Sequence, residues 1–439
     1  MMDNLLQSAP VQRTVAFVRA HPLFCTILLL GIILRIIYVL GTPHSVREHD
    51  VWGHIDYIKY VSESWSIPPP HENSQFYHPP LYYFGAAAIY VAGQRMMLDE
   101  NSIFFVLQLF SLLLSIGTLA VALWIGQMLL PERKHSRSFL LYGLLFAAFP
   151  SLIFFAARIN NDVPYHFVAF LGLALILRAV QRKHMGDWVL LSIVLGLGLL
   201  VKTHIILLLP VAYGALLAQR KLAMGGKIKR IALSLVIVAA CGGWFHAARY
   251  FDERNAQTTL VGNVGVLTNF VDNSASAYTT FHPLELLQHP YNDPFRDSER
   301  RNYFWEYFFR SAFSGEYNLG PERRLLMQAI LVLSYVLSAF IAVSLIVAML
   351  AIAKHPHSQA VALLLAFAII LGGSVAFRIA YPYSSAQDFR YAILLLIPLA
   401  WAASIPIPGE KKAVREIRTA LILTLSVLLS ALIISLSFG

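Results

Sequence analysis

Charged residues are scarce in this sequence. Only 13% of its 439 residues are Asp, Glu, Lys or Arg, whereas 57% are hydrophobic, and the mean hydropathy is +0.62. These values lie outside the range of soluble globular proteins. Several apolar runs also reach the roughly 20 residues that a helix needs to cross about 30 Å of hydrocarbon. The composition therefore predicts an all-α polytopic membrane protein embedded in a lipid bilayer.

Cysteine is nearly absent, and nucleotide-binding motifs are missing. Cys25 and Cys241 lie at or inside apolar segments, so they indicate neither a disulfide framework nor a metal cluster. No Walker loop, dinucleotide fingerprint or zinc-ligand spacing occurs, which leaves nucleotide-driven transport without support. The net charge of +10 does not indicate nucleic-acid binding, because the basic residues lie in short loops between apolar runs, where they act as topology signals.

The basic loops predict the topology. Under the positive-inside rule, five basic clusters and the amino-terminal segment lie in the cytoplasm. A span at 78–93 would place most of these clusters outside, so we interpret "HPPLYYFGAAAIYVAG" as a helix in the outer interface. The first apolar run is expected to be a retained span, because no small-residue cleavage motif follows it. About eleven spans are then predicted, near 23–41, 102–130, 138–157, 163–180, 187–201, 203–219, 231–250, 326–353, 358–380, 389–405 and 417–438.

Two long outer loops are predicted, at 42–101 and 251–325. The second contains "NYFWEYFFRSAF", in which Glu306 and Arg310 have i,i+4 spacing, and this aromatic segment is predicted to be another interfacial helix. Most of the unusual polar residues then fall on the outer side, near the ends of spans. They are Glu48, Asp50, His54, His78, Arg158, Asn160, Asn161, Asp162, Lys202, His204, Asp388 and Arg390. This one-sided clustering indicates a functional site on the outer face.

Asp50 is the first candidate for a catalytic base. Asp50 and His54 have i,i+4 spacing on a predicted helix that ends before "SIPPP", since proline cannot continue a helix. A half-buried carboxylate at this place can be tuned to remove a proton from a hydroxyl. The alternative is a solvated loop acid that caps the helix. Glu48 is a second candidate for the base.

Lys202 and Arg390 each interrupt or open an apolar span. Ionisable residues at such positions are expensive and commonly functional, and both side chains suit the recognition of a phosphate. The alternative is that they snorkel at a helix end. Arg35, inside the first span, is expected to snorkel or to pair with an acid of the first outer loop. His78 either bonds a phosphate or sugar, or caps the following helix.

The order of these motifs resembles that of a known family. An acid after the first span, "HPPLYY" on an outer interfacial helix, "NND" opening a span, Lys-Thr between two spans and "FRYAILLLIP" near the end follow one another. The sequence is similar to the GT-C superfamily of membrane glycosyltransferases, nearest the branch of protein O-mannosyltransferases and lipid A aminoarabinose transferases. The resemblance covers most of residues 1–220 and resumes near 385–400. It predicts a catalytic membrane module at 1–220 and a variable membrane module at 221–439.

The resemblance implies a polyprenyl-phosphate-linked sugar donor, used on the periplasmic or extracytoplasmic face of a membrane, with a bacterial inner membrane as the expected location. Asp50 matches the family's proposed base. Lys202 and Arg390 match positions that hold the donor phosphate. Val51 stands where the family has a glutamate, which leaves open whether Glu48 takes over that role. The other candidate substrate-binding residues are His54, His78, Tyr82, Arg158, Asn161 and Asp162, the last matching an acid of the second outer loop.

The implied reaction is an inverting single displacement. Asp50 removes the proton of an acceptor hydroxyl on a glycan, lipid or protein, and the two cations stabilise the departing lipid phosphate. This chemistry requires no cofactor, and the use of a divalent metal is left open. A lipid or sugar transporter is the main alternative function. It predicts internal repeats, spans broken near the midplane and charges distributed along a path.

Overall fold

The computed structural model describes residues 9–48, 50–251, 271–292, 302–354 and 358–438. The regular elements in these ranges are helices. The α-helices are α1 Ala9–Ala20, α2 Pro22–Leu40, α3 Val51–Ser64, α4 Leu81–Arg95, α5 Glu100–Leu129, α6 Glu132–Ala148, α7 Pro150–Phe154, α8 Asp162–Arg182, α9 Met185–Leu199, α10 Leu208–Leu217, α11 Met224–Val238, α12 Trp244–Phe251, α13 Ser276–Thr279, α14 Pro283–Gln288, α15 Phe304–Ser314, α16 Arg324–Lys354, α17 Ser358–Ala380, α18 Leu396–Ser404 and α19 Lys412–Ser437. The predicted all-α fold class is confirmed.

Seven helical segments within the described ranges are long and apolar enough to cross a membrane. They are Pro22–Leu40, Glu100–Leu129, Asp162–Arg182, Met224–Phe251, Pro321–Ala353, Ser358–Ala380 and Lys412–Ser437. An eighth results if α6 is counted together with α7 and the following turn, which are bent by 49°. These segments confirm a multi-pass membrane protein.

The predicted count of eleven spans is not confirmed. The predicted span at 187–201 is α9, whose 15 residues extend for only roughly 22 Å. The predicted span at 203–219 is divided into the 3₁₀ turn Thr203–Leu207 and α10. The one at 389–405 is divided into the 3₁₀ turn Phe389–Leu395 and α18. All three apolar segments are helical, but they are shortened or broken.

The basic loops meet at one end of the helix bundle. Arg137 forms an ion pair of 2.6 Å with Glu416, which joins the start of α6 to the start of α19. At the same end, Arg230 donates to the carbonyl of Lys183 at 3.0 Å. At the opposite end, Gln108 of α5 donates to the carbonyl of Ala157 at 2.7 Å. The basic loops and the candidate site therefore lie at opposite ends of the bundle, as the topology requires.

Helices α3 and α4 form a small apolar core of their own at the second of these ends. Val51, Ile55 and Ile58 are buried in it, together with aromatic and alanine side chains of α4 and the first turns of α5. Helix α3 ends where Trp65 adopts a left-handed conformation with φ 49°, just before the three consecutive prolines. The 15-residue α4 is too short to span. This length agrees with the interpretation of 78–93 as a helix that does not cross the membrane, and its interfacial position stays a prediction.

The aromatic segment at 302–313 forms a helix that packs against other parts of the protein, and its predicted interfacial position stays a prediction. Helix α15 is packed inside the protein: Ser151 Oγ donates to the carbonyl of Ser311 at 3.1 Å, and the backbone of Phe389 donates to Ser311 Oγ at 2.9 Å. Its charged residues can be buried because they pair with each other. Glu306 and Arg310 lie 3.7 Å apart, with side chains at most 1% exposed. Helix α15 therefore packs against two of the segments that carry candidate site residues.

Candidate functional site

Three interruptions of helices bring the candidate residues together. The backbone is extended at Arg158, after α7 and its 3₁₀ turn, at Lys202, after α9, and at Asp388, before the turn Phe389–Leu395. Two contacts join these interruptions to the start of α8. Asn161 Nδ2 donates to the carbonyl of Val201 at 3.3 Å, and Tyr165 Oη donates to the carbonyl of Tyr391 at 3.2 Å.

Lys202 and Asp162 form a buried ion pair, in which each side chain is 7% exposed. The Lys202 ammonium also lies 4.9 Å from the centre of the Tyr391 ring. Burial lowers the pKa of Lys202, and the nearby charge of Asp162 opposes that change. The snorkelling alternative does not apply, because the ammonium is held inside the protein by a carboxylate and an aromatic face.

Arg390 lies against the same aromatic ring. Its guanidinium carbon is 4.9 Å from the centre of the Tyr391 ring, and its Nη2 donates to the Tyr391 hydroxyl at 3.1 Å. Nη2 also lies 3.5 Å from Glu316 Oε2. The buried Nε of Arg390 donates no hydrogen bond to any residue that the structure describes. Two cations from distant parts of the chain thus lie against one tyrosine ring. One of them, Arg390, has a buried N–H donor that no described residue accepts.

Asp388 precedes Arg390 and shapes its backbone. The carboxylate accepts a hydrogen bond of 2.8 Å from the backbone N–H of Arg390, which caps the 3₁₀ turn. Burial raises the pKa of Asp388, and the charge of Glu316 raises it further, while Arg390 opposes both. Asp388 and Glu316 therefore both lie near Arg390, the first at its backbone and the second at its guanidinium group.

Glu48 and Asp50 have different surroundings. The Glu48 side chain is 3% exposed, and its Oε2 lies 3.6 Å from Arg158 Nε. Arg158 is held in turn by the Tyr317 hydroxyl and by the face of Phe155, 4.3 Å from the guanidinium carbon. Asp50 is exposed, and its carboxylate does not cap α3. The capping alternative for Asp50 is therefore wrong.

His54, His78 and Tyr82 line the site from the side of α3 and α4. His54 Nδ1 lies 2.7 Å from the Tyr83 hydroxyl, and burial lowers the pKa of His54 to about 3, so the ring is neutral. His78 donates to Gln75 Oε1 at 2.9 Å and stacks on His54, with ring centres 5.6 Å apart. It does not cap α4. The buried Tyr82 hydroxyl has no hydrogen-bond partner among the described residues.

Three residues that contact buried cations of the site were not predicted from the sequence. They are Glu316, Tyr317 and Tyr391. Tyr391 follows Arg390, so the motif "QDFRY" carried a signal for it. Glu316 and Tyr317 lie in the long outer loop, where no spacing connects them to Arg390 or Arg158. Their contacts with Arg390 and Arg158 become visible only in the structure, where α15 packs against the site.

Arg35 does not occupy either of its predicted environments. Its side chain is fully buried and donates to Ser115 Oγ at 2.9 Å and to the carbonyl of Ala147 at 3.3 Å. Ala147 lies just before the break between α6 and α7, where a carbonyl loses its partner in the helix. Arg35 therefore bridges this break instead of snorkelling or pairing with an acid.

Metal-binding groups are not found among the residues that the structure describes. No three His, Cys, Asp or Glu side chains in these ranges are placed to hold an ion. In the first outer loop, Glu48 pairs with Arg158, whereas His54 contacts Tyr83.

Comparisons with known proteins show which family and which solved structures this chain resembles. Residues 78–244 match the family described as Dolichyl-phosphate-mannose-protein mannosyltransferase, and no match was found among curated proteins. The oligosaccharyltransferase of Archaeoglobus fulgidus, solved with Zn and sulfate, has 15% identity and a TM-score of 0.54, over 94% of this chain and 53% of that one. The apo form of the same enzyme has 13% identity and a TM-score of 0.55, over 94% of this chain and 56% of that one.

The chain has a GT-C fold. The resemblance to this superfamily is thus confirmed at the level of the fold, and the chain spans about half the length of the archaeal oligosaccharyltransferase. ArnT from Cupriavidus metallidurans, bound to undecaprenyl phosphate, is a more distant neighbour with 15% identity and a TM-score of 0.42, over 85% of this chain and 76% of that one. The matching family is described as a mannosyltransferase, and the archaeal neighbour is an oligosaccharyltransferase.

Proposed function

We propose that this GT-C protein is a membrane glycosyltransferase that moves a sugar from a polyprenyl-phosphate-linked donor to an acceptor hydroxyl. The observation that carries the proposal is the convergence of Lys202 and Arg390 on the ring of Tyr391, each at 4.9 Å. Two buried cations at one place suit a phosphate group. The matching family description, which names dolichyl-phosphate-mannose, supports a sugar linked to a lipid phosphate.

In this mechanism, the donor phosphate binds between Lys202 and Arg390. Without donor, Asp162 and Glu316 neutralise the two cations. During transfer, the bond between the sugar's anomeric carbon and the phosphate oxygen breaks, and negative charge develops on the departing lipid phosphate. Preorganised cations in a water-poor site stabilise such charge strongly. The energy of the reaction comes from the donor, so no nucleotide is needed.

Asp50 is the proposed base. It removes the proton of the acceptor hydroxyl, which attacks the anomeric carbon from the side opposite the phosphate, so a single displacement inverts the configuration. The exposure of Asp50 supports this choice, because the base must reach an acceptor that arrives from outside the protein. Glu48 instead holds Arg158. The candidate residues His54, His78, Tyr82 and Asn161 complete the proposed substrate-binding surface.

The proposed location is an extracytoplasmic face, with a bacterial inner membrane and its periplasm as the expected setting. The opposite placement of the basic loops supports this orientation under the positive-inside rule. A glycan, lipid or protein remains the proposed acceptor class. The transporter alternative predicted helix breaks near the midplane and charges along a path. The helix breaks at Arg158, Lys202 and Asp388 instead place their charged residues together, at the end of the bundle opposite the basic loops.

Donor binding tests the proposal directly. In nanodiscs, Lys202→Met should weaken the binding of both a synthetic polyprenyl-phosphate mannose and the free polyprenyl phosphate by about 10- to 100-fold, because a charge-assisted contact to the shared phosphate is lost. Lys59→Met is the matched control, since Lys59 also pairs with a carboxylate, Glu100, at 2.5 Å but lies outside the site. Lipid binding that is unchanged in Lys202→Met, or turnover of a sugar nucleotide by the wild type, would contradict the proposed donor.

A further inference from the structure

The long outer loop supplies one buried carboxylate to the proposed donor site. Glu316 follows α15 and is 6% exposed. One of its oxygens, Oε2, lies 3.5 Å from Arg390 Nη2. The other, Oε1, accepts a hydrogen bond of 2.7 Å from the Tyr307 hydroxyl. Glu316 is thus oriented on one side by α15 and reaches a cation of a different element on the other.

The Arg390 guanidinium has partners at one of its nitrogen atoms and lacks a described acceptor at another. Its Nη2 contacts Glu316 Oε2 and the Tyr391 hydroxyl, while its buried Nε has no acceptor among the described residues. A buried donor without a partner is unfavourable, because it has lost its hydrogen bonds to water. An oxygen of an anionic ligand at this position would remove that penalty. The contacts to Glu316 and Tyr391 orient the guanidinium so that Nε is available for it.

The backbone around Arg390 depends on the same helix. The N–H of Phe389 donates to Ser311 Oγ of α15 at 2.9 Å, one residue before Arg390. Helix α15 and the residues just after it therefore hold this segment twice, through Ser311 at the backbone of Phe389 and through Glu316 at the side chain of Arg390. Both contacts join the long outer loop to the segment Phe389–Leu395. A displacement of α15 would move the guanidinium relative to Lys202.

We propose that Glu316 is a positioning residue for the donor, which holds the Arg390 guanidinium so that the arginine meets the lipid phosphate. This inference rests on the proposed function and extends it. The contacts of Glu316 assign this part of the loop at 251–325 to the donor site, while Asp50, the proposed base for the acceptor, lies in the first outer loop.

Charge and shape can be separated with two substitutions at this position. Glu316→Gln keeps the size and the acceptor for Tyr307 but removes the charge that orients Arg390, so the donor KM should rise about tenfold. The acceptor KM should stay within about twofold of the wild-type value. Glu316→Asp keeps the charge and should recover most of the donor affinity. A purely structural role for Glu316 would not divide the two KM values in this way.

Two further variants keep the test informative if Glu316→Gln folds poorly. Tyr307→Phe leaves the carboxylate charged but removes the hydroxyl that orients it, and should raise the donor KM by about threefold in the same direction. Glu306→Gln is the matched control on the same helix. Glu306 is a buried carboxylate paired with Arg310, so its loss should lower the thermal stability and leave the donor KM unchanged.

The outcomes separate this inference from the proposed function. Binding of free polyprenyl phosphate to nanodisc-embedded variants is the second readout, and it should weaken in Glu316→Gln about as much as the donor KM rises. A wild-type donor KM in Glu316→Gln, tighter lipid binding or a change confined to the acceptor KM would overturn the positioning role while the function stands. An inactive wild type with all candidate donors would instead refute the proposed function.

Discussion

Asp50 and Glu48 are separated by one residue, yet their carboxylates have different surroundings. Glu48 is nearly inaccessible and is bound to Arg158 at 3.6 Å, whereas Asp50 is exposed at the start of α3. A base that accepts a proton from an incoming hydroxyl must be within reach of it. A carboxylate held in an ion pair has a structural role, since removing one partner leaves a buried charge unbalanced. These surroundings support different roles for the two acids.

Substitution distinguishes these roles. Asp50→Asn keeps the size of the side chain but cannot accept the proton, so kcat should fall by about 10²-fold or more with little change in donor affinity. Glu48→Gln should mainly lower the thermal stability, because Arg158 loses its carboxylate. Steady-state kinetics and thermal unfolding in the same nanodiscs check both expectations. Near-normal turnover by Asp50→Asn together with an inactive Glu48→Gln would assign the base to Glu48.

At the scale of residues, the sequence predicts which side chains are unusual but not which of them pair. Lys202 and Asp162 stand out because each lies at the end of an apolar run, where a charge is unfavourable. Their mutual contact depends on how α8 and α9 pack, which no local pattern records. Glu316 could not be found, because it contacts Arg390 across a separation of more than 70 residues. The roles of the predicted site residues therefore remain a proposal.

Helix interruptions are the main structural device at the scale of elements. The sequence located the apolar segments well, because their length is visible directly, but it treated three of them as continuous spans. Pro150 follows the break after α6, and this proline was a usable signal. The 3₁₀ turns Thr203–Leu207 and Phe389–Leu395 have no comparable marker. Their geometry comes from tertiary contacts around Lys202 and Arg390.

A π-helical turn at Ala239–Gly243 joins α11 to α12 and brings Gly242 against α9. A Cβ atom at Gly242 would lie 1.9 Å from the carbonyl oxygen of Gly196, whereas one at Gly243 would meet only ordinary contacts, the nearest at 3.5 Å. Gly242→Ala should therefore lower stability by about 1–3 kcal/mol. Gly243→Ala should be neutral or slightly stabilising, because alanine restricts the unfolded chain.

Thermal unfolding of the two single variants in one detergent measures this contrast. Because α9 ends close to Lys202, Gly242→Ala should also weaken donor binding, and Gly243→Ala should not. Equal stability of the two variants would show that α9 and the π-helical turn do not approach each other this closely.

On the scale of the whole molecule, the two ends of the bundle differ in chemistry. One end carries the basic loops joined by Arg137, Glu416 and Arg230, and the other carries the buried ion pairs of the site. The sequence predicted this separation through the positive-inside rule, because charge in short loops is read directly during insertion. The division of the chain near residue 220 into two modules stays a prediction.

Cysteine labelling checks the orientation. Ser136, Gly225 and Ala275 are exposed, the first two at the basic end. In a variant in which Cys25 and Cys241 are replaced, Ser136→Cys and Gly225→Cys should react with an impermeant maleimide only from the cytoplasmic side, and Ala275→Cys only from outside. Labelling of Ser136→Cys from outside would reverse the proposed orientation and place the site in the cytoplasm.

The shortness of α9 has a consequence for the lipids around the protein. The helix leaves the basic end at Met185 and stops at Leu199, about 8 Å short of the hydrocarbon thickness of an average bilayer. An average bilayer whose inner hydrocarbon boundary lay at Met185 would place the end of α9 below the outer headgroups, so the phosphate of the proposed donor would enter the membrane to approach Lys202. Local thinning of the bilayer at this place would shorten that path. The acyl-chain length of the host membrane would then control how readily the proposed donor reaches the site.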